Sequence, residues 1–309
     1  MERRTFLMTG VALAAPRVPE TKLPVCAFSK HFQWTSGVKE AAEMAAQIGY
    51  DGLDLTVREG GHVLPAKVSD DLPKAVDSIH AAGLQAPMIT AGIVDTRSPH
   101  CEAMVKTASK LGIKRYRWGG FRYDTAKSIP QQIAEFRAAA KDLAVMNKQY
   151  GVCAMYHTHS GVGQFGASMW DIWEVLRDQD NDAVGVNLDI GHATVEGGLG
   201  GWINTTRLLA PMIRGVAFKD FRWEKTAQGK WFVHWCALGQ GMVNFRQFLR
   251  LLKESGFQGP LQLHMEYDEL GGADTGKSSM TIGREEFIRL CKRDLDVFRG
   301  YLKDTIGTP

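Results

Sequence analysis

The stretch VKEAAEMAAQIGYDGLDLTV, residues 38–57, contains the pattern that decides the fold. Over Val38–Ile48 the apolar side chains recur at spacings of three and four residues, which predicts an amphipathic helix. Gly49 follows directly, and glycine is the preferred residue where a helix ends in the left-handed conformation. Gly52–Val57 is then a short run of apolar and β-branched residues, typical of a strand. The stretch therefore predicts a helix that leads through a glycine into a strand.

The same unit recurs along the chain from Leu23 onward. Glycines again separate helical patterns from candidate strands at Gly83, Gly112, Gly151 and Gly256. Further helical patterns cover Gln131–Tyr150, Phe245–Glu254 and Glu285–Tyr301. The candidate strands are Pro24–Phe28, Gly52–Val57, Gln85–Thr90, Arg115–Trp118, Val152–His157, Val184–Asp189, Gly215–Lys219 and Leu261–Glu266. Eight strands alternating with helices, without a G-x-G-x-x-G motif after the first, favour a closed barrel over an open doubly wound sheet. We therefore expect an α/β fold, one (β/α)8 TIM barrel over residues 21–309.

Composition and charge exclude several classes of protein. With 44% hydrophobic and 23% charged residues the chain has the composition of a globular protein rather than a disordered one. The net charge is +3 and the basic residues are scattered, which gives no electrostatic case for nucleic acid binding. Five widely spaced cysteines form no C-x-x-C pair. No apolar run approaches the roughly 20 residues of a membrane span. The sequence leaves open whether the protein forms a homo-oligomer.

The first 20 residues have a different pattern from the rest of the chain. Arg3-Arg4-Thr5-Phe6-Leu7 precedes a short apolar segment through Ala15, and Ala12-Leu13-Ala14 is similar to a cleavage site for an exported protein. The arginine pair followed by Phe-Leu resembles a bacterial twin-arginine signal. We therefore expect residues 1–20 to direct export to the periplasm. If this segment is not a signal, the protein is cytoplasmic.

Titratable side chains concentrate where the last four candidate strands end. They are His157 and His159 at the fifth strand, Asp189 and His192 at the sixth, Lys219 at the seventh, and His264 and Glu266 at the eighth. Barrel enzymes build their active sites at these strand ends. Side chains alternate between the two faces of a strand, so His157 and His159 share one face, as do His264 and Glu266. Imidazole and carboxylate together suit Zn²⁺, Mn²⁺, Co²⁺ or Fe²⁺ better than Mg²⁺. We expect one such metal here.

Other histidines and the longest loops are placed by the same rule. His31 and His62 follow strands one and two and are candidates for contact with a substrate, whereas His80, on a helix, and His234, in a long loop, lack this placement. The longest irregular segments follow strand ends as well, and in a barrel such loops surround the active site. These segments are Arg58–Ser69, Phe221–Val243 and Leu270–Thr281.

Four short motifs resemble the xylose-isomerase-like TIM-barrel family, which includes sugar phosphate isomerases, ketose 3-epimerases and inosose dehydratases. They are Gly52–Arg58, Asp189–His192, Phe218–Asp220 and His264–Tyr267. The resemblance spans about Val25 to Tyr301 and implies a metal held by Glu, Asp, His and Glu from strands five to eight.

Two of the four metal ligands that the resemblance implies carry over directly. Asp189 matches the aspartate and Glu266 the last glutamate, whereas His157 stands where the first glutamate is usual and Ala217 where the histidine is usual. The expected ligands are therefore His157, Asp189 and Glu266. The remaining position is left for water, a substrate oxygen or a neighbour such as His159.

The resemblance also implies roles in substrate binding and catalysis. His192 matches the histidine that contacts substrate, and we expect His159, Arg58, His62 and His264 to share this role. The expected catalytic residues are Glu266 as the base, Lys219 facing an oxyanion, and His157 as a further partner.

These residues predict a metal-dependent sugar isomerase or epimerase that transfers a proton next to a carbonyl. Phosphorylated sugars are scarce outside the cytoplasm. If the protein is exported, a free sugar or keto-sugar is therefore the expected substrate. A lyase or dehydratase acting on a keto-sugar or keto-glycoside is the alternative enzyme, since only one of the family's two glutamates is retained. A non-catalytic carbohydrate-binding barrel is the alternative from another class.

Overall fold

The computed structural model describes residues 23–307, and the predicted export signal lies outside them. Eight parallel strands close into a barrel in which β1 pairs with β2 on one side and β10 on the other. The barrel strands are β1 Val25–Phe28, β2 Gly52–Val57, β3 Met88–Ala91, β4 Arg115–Trp118, β5 Cys153–His157, β6 Val184–Asp189, β7 Ile213–Phe218 and β10 Leu261–Leu263. Two further strands, β8 Asp220–Lys225 and β9 Trp231–Cys236, lie outside the barrel. The predicted TIM barrel is confirmed.

Helices surround this barrel and cover its strands. They are α1 Val38–Ile48, α2 Val68–Ala81, α3 Cys101–Lys110, α4 Ile129–Tyr150, α5 Trp170–Leu176, α6 Ile190–Gly197, α7 Gly201–Leu209, α8 Phe245–Glu254 and α9 Arg284–Thr305. Every residue of β2, β5 and β6 is buried, because barrel strands face the interior on one side and the helices on the other. Among residues 23–307 no helix is long and apolar enough to cross a bilayer.

Most strand ends lie within one or two residues of the sequence prediction, and the two that differ by three residues each have a local reason. β3 begins at Met88 rather than Gln85, directly after Pro87, which has no N–H to donate to a ladder. β10 ends at Leu263 rather than Glu266, because the N–H of Met265 donates to Nε2 of His31 at 3.1 Å instead of to a neighbouring strand. His264 and Glu266 therefore lie just beyond the strand, at the mouth of the barrel.

The prediction that Phe221–Val243 is irregular was wrong. β8 and β9 form a two-stranded antiparallel hairpin that begins at Asp220, immediately after Lys219. The Asp220 carboxylate accepts hydrogen bonds from four backbone N–H groups, those of Phe221, Gly239, Gly241 and Val243, at 2.9 to 3.1 Å. A side chain at residue 241 is excluded, since its Cβ would lie 2.2 Å from Oδ1 of Asp220. One buried carboxylate thus fixes both ends of the hairpin.

Replacing this carboxylate is expected to loosen the hairpin. Asp220→Ala leaves four backbone donors without their acceptor, and we expect a loss of about 3 kcal/mol in the free energy of unfolding. Thermal unfolding should show a lower midpoint, and limited proteolysis should cleave the turn at residues 226–230 faster. Asp182→Ala removes an aspartate whose side chain is 92% exposed and should change neither. An unchanged midpoint and cleavage rate in Asp220→Ala would contradict this role.

Candidate active site

Three potential metal ligands converge at the ends of β5, β6 and β10. His157 and Asp189 are the last residues of their strands, and His264 follows β10 directly. Nε2 of His157 and Nδ1 of His264 each lie 3.7 Å from the same carboxylate oxygen, Oδ2 of Asp189. One ligand atom from each residue lies within 4.8 Å of those of the other two, and all three side chains are buried. Three parallel strands of the barrel thus bring two imidazoles and a carboxylate to one point.

Burial keeps both of these imidazoles neutral. It lowers the pKa of His157 and of His264 well below the usual value, and the guanidinium of Arg117 acts in the same direction on each. A neutral imidazole offers a ring nitrogen lone pair, so it binds a cation without first releasing a proton. Burial also raises the pKa of Asp189, while the ammonium of Lys219 opposes that rise.

The donor set and one buried atom indicate that these three residues fit a divalent metal. Oδ2 of Asp189 is buried without a hydrogen-bond partner among the described residues, and the nearest ammonium nitrogen, Nζ of Lys219, lies 3.4 Å away. A cation held between His157, Asp189 and His264 would satisfy this oxygen. Two imidazoles and one carboxylate are ligands typical of Zn²⁺, Fe²⁺, Mn²⁺ or Co²⁺.

Glu266 lies beside these residues but is held by two lysines. Nζ of Lys219 donates to Oε2 at 2.8 Å, and Nζ of Lys30 donates to Oε1. Burial alone would raise the pKa of Glu266, yet the two ammonium groups hold it well below the usual range. Glu266 is therefore ionised at neutral pH, with both carboxylate oxygens engaged.

Lys219 connects Glu266 to the residue that the sequence assigns to substrate contact. Its Nζ donates to Nε2 of His192 at 2.7 Å, and Nδ1 of His192 lies 2.7 Å from Oγ of Ser160. Because the ammonium can only donate, Nε2 of His192 accepts and the ring proton is on Nδ1, facing Ser160. The Lys219 ammonium also lies 4.3 Å from the ring centroid of Trp235.

Three cations of the mouth lie around Phe28, beside the residues described above. The Phe28 ring stacks on His264 at 4.5 Å, and Nζ of Lys30 and the guanidinium carbons of Arg58 and Arg117 lie 5.5 to 5.9 Å from its centroid. Nη2 of Arg117 also contacts Nε2 of His159 at 3.2 Å. Neither arginine forms a salt bridge with a carboxylate of residues 23–307. The mouth is therefore rich in donors for substrate oxygens.

Two of the remaining histidines are engaged elsewhere. His31 is fully buried with Nδ1 on the carbonyl of Ala273 and Nε2 on the N–H of Met265, so its expected contact with substrate is wrong and its role is structural. Nδ1 of His62 lies 3.1 Å from Oγ1 of Thr56, and no described contact joins it to the residues around Asp189.

Sequence reasoning missed several residues of this cluster. Lys30, Arg117 and Ser160 lie near the ends of β1, β4 and β5, where sequence reasoning considered histidines but no lysine, arginine or hydroxyl. The same strand-end rule, applied to cations and hydroxyls, finds all three.

A second buried carboxylate lies deeper in the barrel. Asp54 on β2 is fully buried, and Oγ1 of Thr90 lies 2.9 Å from both of its oxygens. Burial raises the pKa of Asp54 to about 7, although the hydrogen bond from Thr90 and the charges of Arg117 and Arg58 act in the opposite direction.

The chain belongs to the xylose isomerase-like TIM-barrel family, whose family model matches residues 42–282. This assignment agrees with the closed barrel and with a site at its carboxyl-terminal mouth. No curated protein matches the sequence closely enough to count as a relative.

Solved structures share the fold at low sequence identity. A xylose isomerase-like protein from Mycobacterium smegmatis in complex with magnesium is 18% identical, with a TM-score of 0.63 over 88% of this chain and 98% of that one. The IOLI protein with a bound zinc atom is 18% identical, with a TM-score of 0.68 over 90% and 99%. D-psicose 3-epimerase with D-tagatose, from Clostridium cellulolyticum H10, is 15% identical, with a TM-score of 0.65 over 91% and 99%.

The raised pKa of Asp54 predicts a pH dependence of stability. The folded protein holds the Asp54 proton up to about pH 7, whereas the unfolded chain releases it near its ordinary value of 3.8. Its contribution to stability is therefore complete below about pH 4 and is lost as pH rises through about 7, by up to about 4 kcal/mol. Asp54→Asn keeps an acceptor for Thr90 and cannot ionise. Relative to wild type, its thermal midpoint should be higher at pH 8 and similar at pH 4. The same decline in both proteins between these pH values would count against this assignment.

Proposed function

We propose that this protein is a metal-dependent sugar isomerase or epimerase that transfers a proton at the carbon next to a carbonyl of a free sugar or keto-sugar. The observation that carries the proposal is the convergence of His157, Asp189 and His264 on one buried carboxylate oxygen, with ionised Glu266 alongside. Family membership supports sugar chemistry at this mouth. The export signal, which stays a prediction, favours a substrate without phosphate.

In this proposal His157, Asp189 and His264 hold the metal, and Glu266 stays outside its ligand set. The set differs from the one that the sequence resemblance implies, since His264 takes the place of Glu266. Both oxygens of Glu266 are paired with Lys30 and Lys219, which supports this choice. A metal bound by these three residues would polarise the carbonyl oxygen of the substrate.

Glu266 is the proposed base and Lys219 the residue that regulates it. The two ammonium groups keep Glu266 ionised but also make it a weak base. When the substrate carbonyl oxygen gains negative charge, Lys219 can turn its ammonium from Glu266 to that oxygen, as a preorganised donor. The basicity of Glu266 then rises at the moment when it accepts the proton from carbon. His192, held by Ser160, keeps the lysine directed into the site.

Elimination is the second candidate reaction, and a specific observation favours it. His157, a neutral imidazole, stands where the family resemblance implies a second glutamate, so the site contains no second ionised carboxylate in the place of an opposed base. Glu266 can still remove a proton, and an ammonium such as Lys219 can protonate a leaving hydroxyl or alkoxide on the neighbouring carbon. A lyase or dehydratase acting on a keto-sugar uses the same residues.

Metal analysis of purified variants tests the ligand set. We expect one divalent metal per chain in the wild type and a sharp loss of occupancy in His157→Ala, Asp189→Ala and His264→Ala, because each removes a ligand. Glu266→Gln should keep its metal. The Co²⁺-substituted protein provides a second measurement, since its visible spectrum should change in the three ligand variants and persist in Glu266→Gln. Loss of metal from Glu266→Gln with retention in His264→Ala would restore the set implied by the resemblance.

Proton exchange in deuterated water tests the reaction itself. NMR on a panel of free and 3-keto sugars should show solvent deuterium entering one carbon, and a change of configuration or loss of water distinguishes epimerisation from elimination. Glu266→Gln should lower turnover by about a hundredfold or more. Lys219→Met should also slow turnover while metal content stays near normal. If wild-type protein binds sugars tightly but exchanges no proton with any of them, it is a non-catalytic carbohydrate-binding barrel.

A further inference from the structure

The hairpin β8–β9 presents an aromatic stripe along one of its two faces. Residues directly opposite each other in an antiparallel pair point to the same side. The opposed pairs on this face are Phe221 with Trp235, Trp223 with Val233, and Lys225 with Trp231. The other face carries Arg222, which donates to Glu224, His234 at 3.4 Å from Glu224, and one aromatic residue, Phe232. Four of the five phenylalanine and tryptophan side chains of the hairpin thus lie on one side.

The inner end of this stripe is part of the candidate active site. The ring of Trp235 lies 5.1 Å from the ring of His192, and the Lys219 ammonium lies 4.3 Å from its centroid. Phe221, which is buried, supports Trp235 from across the hairpin at 5.8 Å. A ligand bound next to His192 and Lys219 therefore meets the stripe at once.

The outer end of the stripe is exposed to solvent. Trp223 is 43% exposed and Trp231 is 59% exposed. Neighbouring exposed aromatic side chains on a structured element mark a binding surface more often than chance. Trp231 lies four residues from Trp235 on β9, a distance of about 13 Å along the strand. This distance is close to the length of two linked sugar rings.

We propose that the stripe is a subsite for the second ring of a glycoside or disaccharide, whose first ring occupies the mouth of the barrel. This inference rests on the proposed function and narrows its substrate class. A pyranose ring has a face of C–H groups that stacks on an aromatic ring and a rim of hydroxyl groups that needs polar neighbours. The stripe offers both, since Nζ of Lys225 lies 4.7 Å from the centroid of Trp231. Continuity with His192 and Lys219 selects a substrate as the occupant rather than a second copy of this chain.

Binding measurements on the metal-loaded full chain test the subsite. Isothermal titration calorimetry compares cellobiose, maltose and lactose with the methyl glycosides of their component sugars. We expect at least one disaccharide to bind about three- to tenfold more tightly than its methyl glycosides, as an added aromatic contact provides. Trp223→Ala and Trp231→Ala should each reduce this ratio toward one. Trp231→Phe, which keeps a stacking face, should retain most of it.

Trp170 provides the matched control. It is 54% exposed on α5, and its ring makes no aromatic or cation–π contact with the hairpin among the described residues. Trp170→Ala should leave the ratio unchanged. The proposal is overturned if no disaccharide binds more tightly than its methyl glycosides, or if the ratio persists in both hairpin alanine variants. Loss of self-association in those variants with an unchanged ratio would assign the stripe to contact between copies. A Trp-dependent ratio without proton exchange refutes the proposed reaction only.

Discussion

The arrangement of the other charged side chains at the mouth of the barrel depends on the contacts of the Lys219 ammonium group. This group has hydrogen-bond acceptors in Glu266 and His192, lies 3.4 Å from Asp189 and packs against the ring of Trp235. A buried and a half-buried carboxylate close together would repel one another, and one of them would take up a proton. The lysine prevents this outcome for Glu266, so an ionised base is available beside a buried carboxylate oxygen. Lys219 also lies between the end of β7 and the start of the hairpin, because Phe218 precedes it and Asp220 follows it.

The large-scale fold was predictable because periodicity reports burial. A strand such as Val184–Asp189, which was predicted with its observed bounds, is buried on both faces because the barrel interior and the helices each cover one side. Strand ends were less predictable, since they depend on single distant contacts. β10 stops early because His31, more than two hundred residues away in sequence, takes the N–H of Met265.

The position of the candidate site was predictable, but the hydrogen bonds and ion pairs between its side chains were not. His157, Asp189, His192, Lys219, His264 and Glu266 follow from the strand-end rule, and the structure brings them together. The pairing of Lys30 with Glu266 joins residues 236 positions apart, and no local pattern reveals it. The hairpin did leave a signal, because four of the five residues over Trp231–Trp235 are aromatic or β-branched and follow a glycine at position 229. Its place inside a long βα loop led to the irregular prediction.

Asp220 gives the hairpin an unusual independence from the barrel. Its first and last residues, Asp220 and Cys236, are paired, so the chain leaves the barrel and returns at points about 5 Å apart. Hydrogen bonds to the Asp220 carboxylate hold these two points together. We therefore expect that an insertion, deletion or exchange of residues between Phe221 and Trp235 displaces neither β7 nor α8. Such a loop can be replaced as a unit, so the proposed recognition of the outer part of a ligand can change while the proposed catalytic residues stay in register.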